Sequence, residues 1–426
     1  MNGNKPKAGL QREIGKLGFS AIALNGTIGA GIFALPAVAA ADTGLFSPWM
    51  FVICGLLIMA VVLSMAQAAS LFNDSGGPTT YITHVFGRFA GFQMGWLFTL
   101  SRIAAFAANT NLLVTYASWF WEPLASGMPR AIAVTVICLL IVFVNVIGVK
   151  RGIAALFVIT GLKLIPLSLL VLLGLTKINP DIFIAAELPV FEGFGETILV
   201  LLYAFVGFES AVIPAGEARN PRRDIPSALI KTTIFVAVFY FLIQLVSISV
   251  DPGIGSSKTP LADVAMILMG TAGAGLLAIG AVFSISGNLS AMMLSAPRMI
   301  YAMAQERTLP AWFGEIHPRY RTPAHSIVFL GLVALVLALS GSFIWLAAMS
   351  TVVRLLTYAG CILALPGMHK TIKPIEDQFH LPGGFVIPAI ALLLSLWLIT
   401  HASMESWLVT GGFLALGSIF YALTRR

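Results

Sequence analysis

The chain has 426 residues, of which 58% are hydrophobic and only 10% are charged, and its mean hydropathy is +0.94. Soluble globular domains carry about 25% charged residues, so this composition excludes a soluble globular protein and indicates an integral membrane protein. Apolar segments of about 20 residues recur along the whole chain, which a single cleaved signal peptide would not explain. The net charge of +7 does not indicate a nucleic-acid partner, because the basic residues lie in short loops and form no basic stripe.

The apolar segments predict twelve membrane spans in an all-α protein. The predicted spans cover residues 17–40, 46–72, 92–120, 129–148, 152–175, 196–216, 228–250, 271–303, 325–341, 344–366, 384–401 and 406–423. With the N-terminus placed in the cytoplasm, nineteen of the 25 Lys and Arg residues lie at cytoplasmic ends, and only Arg130, Lys177 and Lys258 lie at outer ends. This asymmetry predicts that both termini are cytoplasmic. No loop is long enough to form a further domain, so we expect residues 1–426 to form one transmembrane domain.

Three glycines interrupt the first span in the run Asn-Gly-Thr-Ile-Gly-Ala-Gly-Ile-Phe, residues 25–33. Gly26, Gly29 and Gly31 have low helix propensity, so the helix can open here and leave backbone NH and CO groups unpaired. In a membrane, such groups are tolerated only beside protein or a water-filled cavity. Alternatively, the glycines let another helix pack closely, as small residues do in membrane bundles. This stretch alone favours neither interpretation.

Two loops have a distinctive composition. The loop of residues 73–91 is rich in glycine and contains Pro78, which predicts a short re-entrant or amphipathic turn. The loop of residues 177–196 is acidic and contains Pro180 and Pro189, and we interpret it as a plain surface loop.

Four charged residues lie within the predicted spans and away from the span ends: Arg102, Lys163, Glu209 and Arg354. Each costs about 2.5 to 3.5 kcal/mol at a helix centre on insertion scales, so each should face the bundle interior or a wet cavity. Lys163 is too far from either membrane surface for its side chain to reach it. A buried lysine can gain and lose a proton near neutral pH, whereas an arginine cannot, so we favour Lys163 as a proton carrier. The alternative is a lysine held permanently by a carboxylate or by carbonyl groups.

Glu209 lies in the sixth span, two residues after Gly207, where a second helix break is predicted. At such breaks in transporters, half-helix NH groups face a substrate carboxylate and carbonyl groups face a cation. The matching breaks predict two inverted five-helix repeats, residues 17–175 and 196–366, followed by two further helices, residues 384–423. The pairing also favours an unwound first span over glycines that only allow close packing.

The two arginines have more than one possible role. Arg102 could pair with Glu209 or cap the carbonyl groups of a broken helix, and the sequence does not choose between these roles. For Arg354, four residues before Tyr358, we favour a structural capping role.

Three ordered motifs resemble those of the amino acid-polyamine-organocation (APC) transporters. They are Gly-Thr-Ile-Gly-Ala-Gly-Ile-Phe at 26–33, Gly-Phe-Glu followed by Gly-Glu-Ala-Arg-Asn-Pro-Arg-Arg-Asp-Ile-Pro within 207–226, and Arg-Met-Ile-Tyr-Ala-Met-Ala with Leu-Pro within 298–310, followed by Arg-Thr-Pro at 321–323. The resemblance covers nearly the whole chain and is strongest to proton-coupled bacterial amino acid transporters. It implies the LeuT-type fold, with helices 1 and 6 unwound at the centre and alternating access around an amino acid site.

The resemblance also implies a substrate site. The backbone of the first-span break would bind the α-carboxylate, and carbonyl groups of the sixth span would bind the α-ammonium. The implied substrate-binding residues are Thr27, Ile28, Gly29, Ala30, Gly31, Tyr203, Ala204, Phe205, Gly207 and Phe208. Tyr203 stands where some relatives place a tryptophan over the substrate, so an aromatic lid is retained.

Further roles follow from the same resemblance. Lys163 matches the fifth-helix lysine of proton-coupled members, where it replaces a sodium ion, and the hydroxyl groups of Ser284 and Ser286 could line that site. Glu209 matches a gating glutamate of exchanger relatives. Arg102 departs from the family pattern, which leaves the chemistry of the substrate side chain open.

These observations predict a secondary active transporter of neutral amino acids that is coupled to protons in a bacterial inner (plasma) membrane. We expect a monomer or homodimer in the lipid bilayer, with no cofactor besides the coupling proton, no metal and no nucleic acid. The alternative is a proton-independent exchanger or exporter of cationic amino acids or amines on the same fold.

Other classes of function fit less well. An enzyme is disfavoured because His84, His317 and His325 lie at predicted cytoplasmic ends, away from Glu209. A channel is disfavoured because isolated charges and two broken helices suit an occluded site better than a continuous pore. The three cysteines lie in apolar segments without metal-ligand spacing, so neither a disulfide framework nor a zinc site is expected.

Overall fold

The computed structural model describes residues 15–72, 77–148, 153–178, 180, 193–215, 218–372, 378–381 and 383–424. These residues form thirteen α-helices, and no β-strand occurs among them. The helices are α1 Lys16–Thr27, α2 Gly31–Thr43, α3 Ser47–Leu71, α4 Pro78–Ala117, α5 Gly127–Ile147, α6 Ile153–Gly174, α7 Phe194–Leu201, α8 Pro221–Val250, α9 Pro260–Gln305, α10 Ala324–Ser340, α11 Phe343–Thr371, α12 Val386–Ile399 and α13 Met404–Thr424. Short 3₁₀ helices cover Gly44–Phe46, Glu122–Ala125, Leu175–Lys177, Leu202–Ala204, Phe208–Ala211, Ile254–Ser256 and Ala311–Gly314.

The helices are those of an integral membrane protein. In the described chain, nine helical stretches are long and apolar enough to cross a bilayer, and α10 and α12 are shorter apolar helices. One of the nine, Gly31–Leu71, contains both α2 and α3. Each of the twelve predicted spans coincides with one or two of these helices, which confirms the prediction of an all-α membrane protein.

The first and sixth spans are both interrupted near their centres. α1 ends at Thr27, Ile28 leaves the helical region with φ −77° and ψ 84°, and α2 begins at Gly31. In the sixth span, α7 passes into a 3₁₀ turn at Leu202–Ala204, and Gly207 adopts φ +118°, a conformation that L residues with a side chain avoid. The predicted breaks are therefore confirmed, whereas the inverted-repeat relation between 17–175 and 196–366 stays a prediction.

Two long helices contain sharp bends at glycine. α4 is interrupted at Gly87, with φ +83° and ψ 176°, so residues 78–86 form a short helical segment where the sequence predicted a re-entrant or amphipathic turn. α9 is interrupted at Gly270, and its first segment, residues 260–269, is a helix that the span prediction missed. Proline is common at the first position of a helix, so Pro260 was a sequence signal for this helix start.

The two loops singled out from their composition fall partly outside the described residues. Residues 73–76 and residues 181–192 lie there, so the surface-loop interpretation of 177–196 stays a prediction.

The helices differ in how much of their surface the bundle covers. α4 is enclosed by the bundle along its apolar segment, and it packs most extensively against α11. α3 packs in a similar way against α8. α5 and α13 keep most of their residues at the surface, as expected of helices that face lipid. The enclosed helices therefore surround the two breaks, and buried polar groups concentrate there.

Candidate functional site

The breaks of the first and sixth spans lie against each other. A methyl group on Gly26 would overlap the carbonyl group of Gly207, and a methyl group on Gly207 would overlap that of Gly26. A Cβ on Gly31 would stand 2.7 Å from the Cα of Ala204. Both interpretations of the glycine run therefore hold: the helix opens after Thr27, and the glycines let the two breaks approach closely.

A small cavity of about 10 Å³ lies between the breaks. Five predicted substrate-binding residues line it: Thr27, Gly29, Ala30, Gly31 and Tyr203. Its other lining residues are Gly26, Asn109, Val206, Asn288, Met292 and Arg354. A cavity of this volume holds about one water molecule and is too small for an amino acid.

The other predicted substrate-binding residues surround this cavity without lining it. The ring of Phe205 packs against Tyr240 at 5.3 Å between centroids, and the ring of Phe208 packs against Tyr358 at 5.4 Å. Ile28 contributes its carbonyl oxygen, which accepts a hydrogen bond from Lys163. Ala204 and Gly207 form the close contacts between the breaks.

A larger cavity, here called the vestibule, continues from the small cavity towards the end of the bundle where α1 begins. Its volume is about 590 Å³, and it shares Gly26, Asn288 and Met292 with the small cavity. Arg102 lines its inner part, and the exposed Glu306 lines its outer part. The vestibule is large enough to admit an amino acid from that end of the bundle.

Lys163 holds the end of α1 beside the break. Its side chain is buried, and its Nζ donates hydrogen bonds to the carbonyl oxygen of Ile28 at 2.6 Å and to Asn25 Oδ1 at 2.8 Å. A third, longer bond reaches the carbonyl oxygen of Asn25 at 3.3 Å. All three acceptors are uncharged, and the helix dipole places partial negative charge at this C-terminal end of α1. The geometry therefore suits an ammonium group without a carboxylate partner.

Ser284 and Ser286 lie on α9, and no hydrogen bond joins either hydroxyl group to Lys163 in the described structure. Ser284 is buried, and its Oγ has no hydrogen-bond partner among the described residues, whereas Ser286 is only partly buried. Their proposed part in proton coupling stays a prediction.

Arg102, Glu209 and Arg354 form a buried group, here called the charge cluster. Glu209 Oε1 lies 3.8 Å from Arg102 Nη2 and 3.4 Å from Arg354 Nη1. Glu209 Oε2 accepts hydrogen bonds from the hydroxyl group of Tyr358 at 2.8 Å and from the amide of Gly207 at 2.9 Å. The carboxylate therefore connects the sixth-span break to α4 and α11.

The charge cluster shows which contacts the two arginines make. Arg102 pairs with Glu209 and donates to Ser210 Oγ at 3.0 Å, so the first of its two possible roles is the one observed. Arg354 also pairs with Glu209, donates to Ser101 Oγ at 2.9 Å and lines the small cavity. The preferred capping role for Arg354 is replaced by this pairing, because the fold brings α11 against the sixth-span break.

Sequence reasoning missed two buried amides beside the cavity, Asn109 and Asn288. Asn109 Nδ2 donates to Asn288 Oδ1 at 2.9 Å, and Asn288 Nδ2 lies 3.5 Å from the carbonyl oxygen of Asn25. The hydroxyl group of Tyr203 donates to Asn109 Oδ1 at 2.6 Å. A search of the spans for polar as well as charged residues would have found these amides.

The residue types that commonly bind metals or act in catalysis do not form a cluster in the described residues. In the described part of the chain, no group of three His, Cys, Asp or Glu residues is placed to hold a metal ion. Cys54, Cys138 and Cys361 are buried free thiols. His84 Nε2 lies 2.9 Å from the Thr371 hydroxyl group. In the described residues, no hydrogen bond or ion pair joins His84 to Glu209.

Comparison with known proteins agrees with this architecture. The family model described as amino acid permease matches residues 14–422. The chain is 28% identical to the serine/threonine exchanger SteT of Bacillus subtilis (strain 168) over 98% of each protein. It is 24% identical to the branched-chain amino acid permease BcaP and 25% identical to the methylthioribose transporter of the same organism, each over 98% of this chain and 94% of the relative.

The family model covers almost all of the described bundle, including both breaks and Lys163. The resemblance inferred from the three sequence motifs is thereby confirmed. The chain belongs to the amino acid permease family of the APC superfamily.

Proposed function

We propose that this protein is a secondary active transporter that moves neutral amino acids together with a proton by alternating access. The observation that carries this proposal is the position of Lys163, whose ammonium group holds carbonyl groups of the first-span break beside the small cavity. A proton bound there acts on the same backbone that binds the substrate.

The substrate site follows from the two breaks. The first turn of α2, beginning at Gly31, presents backbone NH groups and a positive dipole end, which suits an α-carboxylate; of these groups, the Phe33 NH also donates to the Ala30 carbonyl oxygen. Carbonyl groups of the sixth span around Tyr203 to Phe205 would accept hydrogen bonds from the α-ammonium. Tyr203 stands before the sixth-span break, opposite the vestibule, and would cover the bound amino acid.

The charge cluster favours neutral substrates over cationic ones. Two guanidinium groups share one carboxylate, so the group carries a net positive charge beside the cavity and the vestibule. A cationic side chain would meet this excess charge in a poorly screened interior. The relatives are named for serine and threonine, for branched-chain amino acids and for methylthioribose, so they do not identify one side chain.

Coupling requires that the proton bind the two transport states with different affinities. Protonated Lys163 provides charge-assisted hydrogen bonds that hold α1 to α6, whereas a neutral amine holds it less strongly. Loss of the proton would therefore release α1 and shift the balance between the states. With the N-terminus in the cytoplasm, as the charge asymmetry predicts, the vestibule faces the cytoplasm and the structure corresponds to an inward-facing state.

The test uses purified protein in proteoliposomes with an imposed pH gradient. Lys163→Ala should abolish accumulation driven by the gradient and leave counterflow exchange partly intact, because the amino acid site remains. Lys231→Ala, at an exposed position on α8, is the matched control and should accumulate substrate as the wild type does. Unchanged proton-driven uptake by Lys163→Ala would contradict the proposal.

A second candidate is a proton-independent exchanger or exporter of cationic amino acids or amines. The name of one relative as an exchanger is the observation that favours exchange. Counterflow that is equally fast with and without a pH gradient, together with absent net accumulation, would support this candidate. Thermal stabilisation of the purified protein by polyamines alone would overturn the neutral amino acid assignment.

A further inference from the structure

We propose that Asn25, Asn288 and Asn109 connect Lys163 to the lid residue Tyr203, so that the protonation state of Lys163 sets the affinity of the substrate site. The Asn25 backbone carbonyl group and the side chains of Asn288 and Asn109 form this chain, which is called the amide relay below. The inference rests on the proposed function, since it needs Lys163 to exchange a proton.

The relay is continuous from one end to the other. Lys163 Nζ donates to Asn25, Asn288 Nδ2 points at the Asn25 carbonyl oxygen, Asn109 Nδ2 donates to Asn288 Oδ1, and the Tyr203 hydroxyl group donates to Asn109 Oδ1. The three amides are at most 7% exposed. Asn25 and Asn288 also line the vestibule, but little of their surface is exposed, so a change at one end is compensated mainly by the neighbouring member of the relay.

The carbonyl oxygen of Asn25 is the point where the proton acts on the relay. It lies 3.3 Å from Lys163 Nζ and 3.5 Å from Asn288 Nδ2, so two donors share one acceptor. The second distance exceeds that of an ordinary N–H···O bond. When Lys163 loses its charge, its hold on this oxygen weakens and Asn288 can approach it.

Movement of Asn288 reaches the substrate site from two sides. Its amide group would stand 3.1 Å from a Cβ on Gly29, so it packs directly on the backbone that we assign to the α-carboxylate. Its Oδ1 also holds Asn109, which in turn holds the hydroxyl group of Tyr203. Asn288 thus contacts the backbone of the proposed substrate site and, through Asn109, positions the Tyr203 hydroxyl group.

Other titratable groups near Lys163 do not replace it in this role. Helices α1, α8 and α9 pack against α6, and no carboxylate of their described residues lies within ion-pair distance of Lys163. On α8, Tyr240 comes near the break, with its hydroxyl group 3.4 Å from the Thr27 carbonyl oxygen. On α1, Lys16 stands at the first residue, and on α9, Asp263 and Arg298 stand towards the two ends.

The experiment measures substrate affinity on both sides of neutral pH in purified protein. The probe is whichever of the common amino acids stabilises the wild type most against heat. We expect the wild-type Kd to change by about fivefold or more between acidic and alkaline pH, the usual lower range of coupling between sites. In Asn288→Ala the ratio of the two Kd values should fall below about twofold, and Asn109→Leu should behave in the same way.

A purely structural role for the amides gives a different result. Kd would then rise by the same factor at both pH values and keep the wild-type ratio, which would overturn the relay. The matched control is Thr110→Val, next to Asn109 and similarly buried, whose hydroxyl group donates to the Phe106 carbonyl oxygen and accepts from the Cys138 thiol, outside the relay. It should keep the wild-type ratio.

The relay and the proposed function fail in distinguishable ways. If Lys163→Ala keeps the wild-type pH dependence, the proton carrier itself is wrong. If Lys163→Ala loses the pH dependence and Asn288→Ala retains it, the carrier stands and the relay is wrong.

Discussion

Two buried charge sites lie on either side of the helix breaks, and they are built differently. Lys163 is a single cation on three uncharged acceptors, whereas the charge cluster has two guanidinium groups around one carboxylate. An arginine stays protonated in proteins, but a buried lysine can become neutral. A lone buried lysine on uncharged acceptors can therefore in principle change its charge, whereas the two guanidinium groups of the charge cluster stay charged. We interpret the first as a switch and the second as a brace for the sixth-span break.

The largest expected effect comes from removing the carboxylate of the brace. Glu209→Gln leaves Arg102 and Arg354 buried without a counter-ion, and breaking a buried pair in this way costs about 3 to 5 kcal/mol. A large drop in the unfolding temperature of detergent-solubilised protein should follow. Glu405→Gln, at an exposed position at the start of α13, is the control and should unfold as the wild type does. Wild-type stability of Glu209→Gln would show that the cluster does not brace the fold.

The second-largest expected effect tests the contact between the two helix breaks. Gly207→Ala places a methyl group on the Gly26 carbonyl group and forces a side chain into positive φ, so we expect a loss of about 2 to 4 kcal/mol. Transport should fall with stability, because both sites depend on this contact. Gly412→Ala on α13, where a Cβ would meet no atom within 4 Å, should be neutral in the same unfolding assay. Normal transport by Gly207→Ala would mean that the breaks can separate without loss.

The smallest effect concerns a single hydrogen bond. Tyr358→Phe removes the donor to Glu209 Oε2 and keeps the ring contact with Phe208. We expect a loss of about 1.5 kcal/mol, the lower range for a hydrogen bond to a charged group, because both arginines remain. Thermal unfolding measures it, and Tyr301→Phe, partly buried on α9, serves as control. A loss as large as that of Glu209→Gln would show that Tyr358, and not the arginines, holds the carboxylate.

Prediction from the sequence succeeded where the membrane imposes a large free-energy cost on the alternative placement of a residue. Charged side chains are costly in hydrocarbon, so Arg102, Lys163 and Glu209 stood out, and all three lie buried at the breaks. Asn109 and Asn288 were missed because an amide costs less to bury and does not interrupt an apolar pattern as clearly. Phe205 and Phe208 do not line the small cavity, and the substrate roles of all the implied residues stay predictions.

The sequence by itself determined the membrane environment, the twelve spans and the two breaks, because hydropathy and helix propensity act along the chain over short distances. Only the tertiary structure decided the partners: Lys163 with Asn25, Arg354 with Glu209, and Asn288 with Asn109. Each pair joins helices far apart in the chain, and helices that are apolar on nearly all sides do not specify which faces meet. The close approach of Gly26 and Gly207 determines which faces meet at the two breaks, and it brings Lys163 and the charge cluster to the same site.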